Sequence, residues 1–364
     1  MISIISSEKP DENWNERLFE SGLGTIYQTV EQSKHNIHEG RSNIFLRFLD
    51  QNKEIVGQLL ITTHPRFDKN GTRNFLLSKT PFLKKNACYW NYGPIIFNKK
   101  FTSEIFESLS NFLQKNKYVG SGWLHPFFSN DIPKNLFKLK EWGTFIIDLK
   151  QSEEQIYNNI DNRSGRKNIQ RSINRNVIIE TISDNNFSDY SILRMKESGI
   201  TPTKDELDKR FEWWKSVKLL DYSGFLAKKD NIAVGGILFS SFGKHILEVG
   251  VARSKKDTDE HLYSQDLLKW NIIKWGINND MKYYNLSGVN PYPESKKEEG
   301  IFRYKKKWGS LLKYKRKWGG NEQSYYHFIK VKKSFKYKII RLLSKPDQIY
   351  RNYKHSKIKS QKKK

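Results

Sequence analysis

Tyr304, Lys305 and Trp308 stand close together in the segment 300–309, which reads GIFRYKKKWG. An ammonium group beside a reacting ester can neutralise the charge that develops on its carbonyl oxygen or leaving group. Aromatic rings on either side can wall such a site and stack on a base or a sugar. In such a site Lys305 and Tyr304 are the candidates for catalytic residues, and Trp308 is the candidate for binding substrate. The alternative is an amphipathic strand with solvated lysines, which is the favoured interpretation of the two lysines that follow Lys305.

A second basic segment, 163–175, contains five lysines and arginines and no acid. Arg163 and Arg166 lie about one turn apart if the segment is helical, so their guanidinium groups could hold a diphosphate or a carboxylate through paired hydrogen bonds. We predict that both arginines bind substrate. The alternative, a solvated basic helix face, stays open from the sequence alone.

Several classes of catalytic site are excluded by the sequence. It contains no GxSxG, HExxH, P-loop or GxGxxG pattern. The eight histidines show no metal-ligand spacing, so no metal site is predicted. The single cysteine, Cys88, stands in a strand-like run beside Tyr89 and Trp90, which is typical of a buried and inert thiol. Covalent catalysis thus lacks a candidate, and we expect direct transfer without a tightly bound cofactor.

The positive charge is concentrated in three places. The net charge is +26, and residues 330–364 carry 14 lysines and arginines against one aspartate. The segments 303–317 and 163–175 add eight and five basic residues without an acid. Compact basic patches of this kind predict anionic partners. The tail 330–364 suits tRNA and an anionic membrane surface equally, and a partly helical or disordered solubilising tail is the third interpretation.

These segments must be positioned by secondary structure, and the periodicity predicts the same order of elements twice. In each half, strand-like runs are followed by an amphipathic helix and another strand. The first half has strands at 44–63 and 87–97, a helix at about 102–117 and a strand at 119–126; the second has a three-strand meander over 223–252, a helix at about 260–278 and a strand at 282–288. We predict an α+β protein with domains at 1–150 and 151–329 and a basic tail at 330–364. The alternative is a generic α+β protein of two unrelated domains.

The segment 300–309 resembles the "G-hydrophobic-x-x-F-K-x-x-F-G" signature of the Fem-type aminoacyl transferases, which add amino acids to peptidoglycan precursors. Three further stretches resemble patterns of that family in the same order: Ile26–Thr29 its "F-x-Q-(S/T)-x-x-W" opening, the stretch from Arg163 its "R-x-x-R-(R/K)-x-I-K-K-A" helix, and YYNLSGVNP its "Y-D-F-G-G" strand. The resemblance covers most of residues 25–318. It implies two tandem GNAT-like domains, each with a mixed, mostly antiparallel central sheet flanked by helices.

The resemblance also implies a reaction and its partners. In this family the donor is an aminoacyl-tRNA and the acceptor is a nucleotide-sugar or lipid-linked muropeptide, and both are polyanions. Lys305 matches the lysine of the signature, and Tyr304 and Trp308 match its aromatic residues. The tryptophan of the opening motif is replaced by Gln32, and the arginine of the family's "T-x-x-R-x-G" pattern has no counterpart after the predicted helix 187–198. These departures leave the acceptor open.

An acyl-CoA donor is the main alternative to aminoacyl-tRNA. GNAT enzymes hold the CoA pyrophosphate on amide groups of a glycine-containing turn at a helix N-terminus. The corresponding stretch here, 253–261, reads RSKKDTDEH, with no glycine and three acids. This composition is unfavourable for a pyrophosphate and favours an aminoacyl-tRNA or a donor that is bound differently.

We therefore predict an acyltransferase that moves an aminoacyl or acyl group to an amine of a cell-envelope precursor or amino-sugar. The alternatives are an acyl-CoA-dependent N-acetyltransferase and a non-catalytic protein that binds RNA or a membrane through a degenerate transferase fold. The sequence shows no signal peptide and no apolar run of the ~20 residues that span a bilayer. A cytoplasmic protein is expected, with contact at the inner face of the membrane through 330–364.

Overall fold

The computed structural model describes residues 2–64, 87–116, 118–125, 138–218, 220–289 and 311–330. The strands are β1 (Ser3–Ser7), β2 (Ser42–Leu49), β3 (Ile55–His64), β4 (Ala87–Trp90), β5 (Ile95–Ile96), β6 (Val119–Trp123), β7 (Lys138–Asp148), β8 (Ile178–Thr181), β9 (Tyr222–Lys229), β10 (Ile232–Phe242), β11 (His245–Arg253), β12 (Tyr283–Val289) and β13 (Asn321–Lys330). The α-helices are α1 (Trp14–Glu20), α2 (Val30–His38), α3 (Thr102–Lys115), α4 (Glu153–Asn159), α5 (Lys167–Asn174), α6 (Phe187–Glu197), α7 (Lys204–Lys218), α8 (Lys255–Asp259), α9 (Ser264–Asn278) and α10 (311–316).

The chain forms two compact units, and each is built from segments that are not contiguous in the sequence. The first comprises the described residues of Met1–Asp11, Asn36–Lys140 and His327–Lys364, and the second those of Glu12–His35 and Glu141–Tyr326. The sequence predicted a division near residue 150, whereas here an early segment joins the later unit. Within that segment, Trp14 is fully buried and donates from Nε1 to the carbonyl oxygen of Gln28 at 2.7 Å. Ile26 packs into the same core as the α6 and α7 side chains, which fixes the segment there.

The first unit is built on a mixed sheet in the order β1–β2–β3–β4–β6, with the end of β13 beside β6. Its neighbouring strands are antiparallel except for the β4–β6 pair, which is parallel. The helix predicted at about 102–117 is confirmed as α3. Its apolar stripe, Ile105, Leu109 and Leu113, is fully buried, as the helical spacing predicts.

The second unit has a mixed sheet in the order β7–β12–β11–β10–β9–β8. The predicted meander is confirmed as β9–β10–β11, and only the β11–β12 pair is parallel. β10 is a nearly continuous apolar run because helices cover both of its faces. Ile237 and Phe239 pack with the α9 side chains, and Leu238 between them packs with those of α6 and α7.

Each unit thus combines a mixed, mostly antiparallel sheet with flanking helices, and the predicted α+β architecture of two tandem domains is confirmed. The predicted tail 330–364 lies outside the described residues apart from Lys330. Among the helices of the described ranges, none is long and apolar enough to cross a membrane.

Candidate transfer site

A cleft opens where β11 and β12 diverge. The two parallel strands pair only over His245–Leu247 and Tyr283–Asn285. Beyond this point β11 continues beside β10, while β12 continues beside β7. A β-bulge in β11 leaves Val249 as an extra residue between the partners of Leu238 and Phe239, which bends the strand at the cleft. Among the described residues, this edge of β11 beyond Leu247 has no paired strand, so its backbone groups can bind an extended ligand.

The cleft contains a cavity of about 400 Å³. Its lining includes residues Glu248 to Val251 of β11, Ser287 of β12, and Tyr314 and Lys315. Ligand cavities are commonly of this size and combine apolar walls with a few placed polar groups. The charged side chains of the described lining are three cations, Arg253, Lys269 and Lys315, and a single carboxylate, that of Glu248.

Glu248 and Lys269 form a buried ion pair at this cavity. Their side chains are 7% and 2% exposed, and the Lys269 ammonium donates to Glu248 Oε2. The Tyr284 hydroxyl donates to the same oxygen at 2.8 Å. Burial, with the neighbouring Glu248 carboxylate second, raises the pKa of Tyr284 well above its usual value, so this phenol stays protonated and remains a donor.

Lys315 closes the end of the cleft from α10. Its ammonium donates to the carbonyl oxygens of Leu286, Ser287 (2.9 Å) and Gly288 (3.2 Å), and so all three of its hydrogens have acceptors. These carbonyls belong to the part of β12 that no longer pairs with β11. Burial lowers the pKa of Lys315 to about 8. The side chain therefore fixes the diverging strand and places a titratable positive charge at the cavity wall.

A second buried cluster anchors the segment that carries Lys315. Lys317 pairs with Asp266 of α9 at 2.5 Å and donates to the carbonyl oxygen of Ser164 at 2.7 Å. Asn168 donates to the other oxygen of Asp266 at 3.0 Å. Burial raises the pKa of Asp266 and lowers that of Lys317, and the ion pair opposes both shifts. The contacts hold 314–317 against α9 and against the turn at 162–166.

The structure describes two of the five predicted site residues. Arg163 and Arg166 lie in a π-helical turn, Asn162–Arg166, whose first residues are capped by Asp161. Arg163 is exposed. Arg166 is half-buried, with its guanidinium 3.4 Å from Asn158 Oδ1 and 6.0 Å from the centre of the Tyr157 ring. Their predicted role in substrate binding stays a prediction, although the turn that carries them contacts Lys317.

The other three predicted residues, Tyr304, Lys305 and Trp308, lie outside the described residues, and their roles stay predictions. A signal that the sequence reasoning missed lies ten residues further on. The hexapeptide YKKKWG at 304–309 is followed by YKRKWG at 314–319, so Lys315 occupies in the second copy the position of Lys305 in the first. The structure places Tyr314 and Lys315 of the second copy at the cleft.

The end of the second copy is tightly packed. Trp318 is fully buried, and Gly319 has a φ of +69°. A Cβ on Gly319 would lie 2.5 Å from the carbonyl oxygen of Asn159, closer than real Cβ contacts allow. Only glycine fits both the positive φ and the close approach to Asn159. Gly319 therefore allows α10 and residues 314–317 to pack against α4.

Replacement of Gly319 by alanine tests this packing. We expect Gly319→Ala to lower the free energy of unfolding by at least about 3 kcal/mol, because it adds a backbone clash to the cost of a left-handed conformation. The control is Gly22→Ala in the same unit, where φ is +62° and a Cβ meets nothing within 4 Å. That variant should lose only about 1 kcal/mol. Equal losses in urea denaturation would show that the contact with Asn159 is unimportant.

The start of α9 is occupied by a carboxylate of the chain itself. Asp257 is fully buried and accepts from the backbone amide of Ser264 at 2.8 Å through Oδ1. Its Oδ2 accepts from Arg253 Nε at 2.5 Å. A helix N-terminus is a favourable place for an anion, and here an internal anion already takes the first amide of α9.

Cys88 is buried, and burial raises the pKa of its thiol to about 12, as expected of an inert cysteine. Within the described ranges, no group of three or more histidine, cysteine, aspartate or glutamate side chains could hold a metal ion.

Comparison with solved structures identifies the fold. FemX is similar with a TM-score of 0.62 and 12% identity, over 88% of this chain and 96% of that chain. A tandem GNAT protein from the clavulanic acid biosynthesis pathway, solved without AcCoA, has a TM-score of 0.51 and 8% identity, over 90% and 98% of the two chains. L-PGS from Bacillus licheniformis has a TM-score of 0.50 and 13% identity, over 92% and 98%. The predicted Fem-like fold of tandem GNAT-type domains is thereby confirmed.

The likeness is one of fold, since the identities are low. No family model matches the sequence, and the search of curated proteins finds no match.

Proposed function

We propose that this protein is an acyltransferase that moves an aminoacyl or acyl group from an activated donor to an amine, at the cleft between β11 and β12. The observation that carries the proposal is the diverging strand pair, with the open edge of β11 on one side and the buried ammonium of Lys315 on the other. An extended acyl arm can pair with the backbone of β11 as an added strand would. Its carbonyl then lies in the field of Lys315 and Lys269.

The reaction needs no covalent enzyme intermediate. The amine nitrogen forms a bond to the carbonyl carbon, the bond from that carbon to the leaving oxygen or sulfur breaks, and the proton of the amine ends on the leaving group. Negative charge develops on the carbonyl oxygen and then on the leaving atom. Fixed cations in a water-poor cavity stabilise this charge more strongly than water does. In this proposal Lys315 supplies the stabilising charge, and the pair of Glu248 and Lys269 positions the floor of the cavity.

The donor that we favour is an aminoacyl-tRNA. Support comes from Asp257, because its buried carboxylate occupies the first amide of α9, where the pyrophosphate of an acyl-CoA would need it. The acceptor suggested by the Fem resemblance is the amine of a nucleotide- or lipid-linked cell-envelope precursor or of an amino-sugar. Contact of the basic tail 330–364 with an anionic membrane surface belongs to the same proposal.

A side-by-side donor assay tests the proposal. The full-length protein is incubated with aminoacyl-tRNAs labelled in the amino acid and, separately, with labelled acetyl-CoA, each with a UDP-linked muropeptide or glucosamine as acceptor. We expect label to move from tRNA to an amide-linked product. Transfer from acetyl-CoA alone would establish the N-acetyltransferase alternative. Consumption of neither donor would leave a non-catalytic binding protein.

The pH profile gives a second test, because Lys315 has a pKa of about 8 instead of 10.5. The ammonium form supports transfer, so the rate should fall as the pH rises through about 8. Stability should change in the opposite sense: between about pH 8 and 10.5 the folded protein binds fewer protons than the unfolded chain, and the free energy of unfolding therefore rises with pH. Transfer rates and urea denaturation across this window should show both slopes. The fall in rate should vanish in Lys315→Met, whereas the rise in stability should only become smaller there, because burial lowers the pKa of Lys317 as well. A falling rate that persists in Lys315→Met would assign the titration to another group.

A further inference from the structure

Four basic side chains form a line on one helical run. Arg163 is in the turn Asn162–Arg166, Lys167 and Arg171 are in α5, and Arg175 follows it directly. All four are exposed and stand four residues apart, which is about 6 Å along a helix. We call them the cationic stripe.

The orientation of the stripe is fixed by the opposite face of the same helix. Asn168, Ile169 and Ser172 are buried, and α5 packs on α9. Arg171 also donates to Asn168 Oδ1 at 3.2 Å, which restrains its side chain. There is no acid between Asn162 and Ile179. Within the described part of the chain, no member of the stripe forms a salt bridge, and the Asp161 carboxylate, which interacts electrostatically with Arg163, lies at one end of the stripe only.

An aromatic platform lies at the far end of the stripe. The guanidinium carbons of Arg171 and Arg175 are 5.7 and 5.6 Å from the centre of the Tyr263 ring. The His261 ring is stacked on Tyr263 with a centroid distance of 6.2 Å and an angle of 23°. Tyr263 is half-buried and His261 is exposed, and both have left-handed backbone conformations that turn the loop before α9. Guanidinium planes and aromatic rings are both surfaces on which nucleobases stack, so this cluster of two arginines and two rings suits a nucleobase with neighbouring phosphates.

The near end of the stripe contacts the segment that carries Lys315. Ser164, beside Arg163, accepts from the Lys317 ammonium at 2.7 Å, and the amide of Asp161 donates to the Lys317 carbonyl oxygen at 2.7 Å. Lys317 is two residues from Lys315 at the cavity wall. A polyanion that follows the stripe therefore ends next to the segment that carries Lys315.

We propose that the cationic stripe and Tyr263 bind the single-stranded end of an RNA, whose phosphates contact the stripe and whose terminal ribose presents its acyl ester to the cleft. The inference rests on the proposed function for the direction of the RNA, while the binding surface itself is carried by the stripe and the platform. A line of cations with a stacking ring fits a phosphodiester strand, which repeats charge and base together. An anionic membrane is the competing ligand, because Ile173 on the same helix is 48% exposed.

Binding of uncharged tRNA to the full-length protein, measured by fluorescence anisotropy at several salt concentrations, tests the surface. The double variant Arg171→Gln/Arg175→Gln should bind at least about tenfold more weakly near physiological salt. The slope of log affinity against log salt should fall by about 1.4, since each phosphate contact on a single strand contributes about 0.7. Tyr263→Leu should weaken binding at least about fivefold and leave the salt slope unchanged, because stacking releases no counterions.

The matched control is Lys196→Gln/Lys204→Gln, which removes the same charge from exposed positions of α6 and α7. It should bind tRNA within about twofold of the unchanged protein, since it touches no phosphate in this arrangement. If the two double variants lost tRNA affinity equally, the effect would come from net charge alone, and the proposal would be overturned. A stripe variant that keeps tRNA binding but loses binding to phosphatidylglycerol vesicles would overturn it in favour of the membrane.

The two proposals fail separately. Lys315→Met should lose transfer and keep tRNA binding, because Lys315 lies in the cleft and not in the stripe. If the stripe variant binds tRNA normally and transfer from aminoacyl-tRNA proceeds, the stripe is not the RNA surface and the transferase proposal stands. If the stripe variant loses tRNA binding and no donor is consumed by any form of the protein, the RNA surface stands and the transferase proposal falls.

Discussion

Lys315→Met should reduce the rate of acyl transfer by about 10²–10³-fold, the loss typical when one fixed group that stabilises a developing oxyanion is removed. Methionine preserves most of the apolar stem and removes only the charge and the three donors. The carbonyl oxygens of Leu286, Ser287 and Gly288 would lose their shared partner, so the end of β12 should also become less well positioned. The initial rate of labelled product from saturating donor measures the effect, and a thermal melt shows whether the variant is folded.

Two further variants decide which lysine acts. Lys313→Met removes the same charge from an exposed position of the same helix and should leave the rate within about twofold. Lys305→Met tests the first copy of the hexapeptide, to which the sequence assigned the catalytic lysine. A folded Lys315→Met protein with the rate of Lys313→Met would remove Lys315 from the mechanism. If only Lys305→Met lost transfer, Lys305 of the first copy would be the catalytic lysine.

The repeated hexapeptide shows where sequence reasoning reaches its limit. The Fem signature indicates the kinds of residue, a lysine between two aromatic rings, and both copies have these, although Ser310 stands where the signature begins with glycine. Choosing between them requires burial and long-range contacts. Lys315 is recognisable only through carbonyl oxygens 27–29 residues earlier in the chain, and no local pattern encodes that approach. The periodicities of strands and helices, in contrast, are local, which is why the tandem α+β architecture was predictable.

That segment Glu12–His35 belongs to the later unit could not be predicted for a similar reason. Its helices carry no local sign of the core that they join, since this depends on partners such as Phe187 and Trp214 that are distant in sequence. The buried ion pair could have been anticipated. Glu248 interrupts the apolar strand HILEVGV and Lys269 the apolar helix segment LLKWNII, and two opposite charges in apolar runs indicate a mutual partner.

Glu248→Gln should lower the free energy of unfolding by about 3–5 kcal/mol, because it leaves the Lys269 ammonium buried without its counter-charge. The amide keeps the volume of the carboxylate and an oxygen that can still accept from Tyr284. The loss therefore reports the unpaired charge and not a cavity. Lys269→Met should lower the free energy of unfolding by a similar amount, because it leaves the Glu248 carboxylate buried without its counter-charge. Urea denaturation followed by tryptophan fluorescence measures both.

The double variant Glu248→Gln/Lys269→Met should recover most of this stability, because replacement of a buried pair by neutral groups of similar volume is often close to neutral. Losses that simply add would mean that the two side chains do not compensate each other in the folded protein. The double variant also separates packing from catalysis. It keeps the fold but removes one positive and one negative charge from the cavity, so a rate that returns with the stability limits the pair to a structural role. If the transfer rate stays low although the double variant is folded, transfer needs the field of this pair as well as that of Lys315.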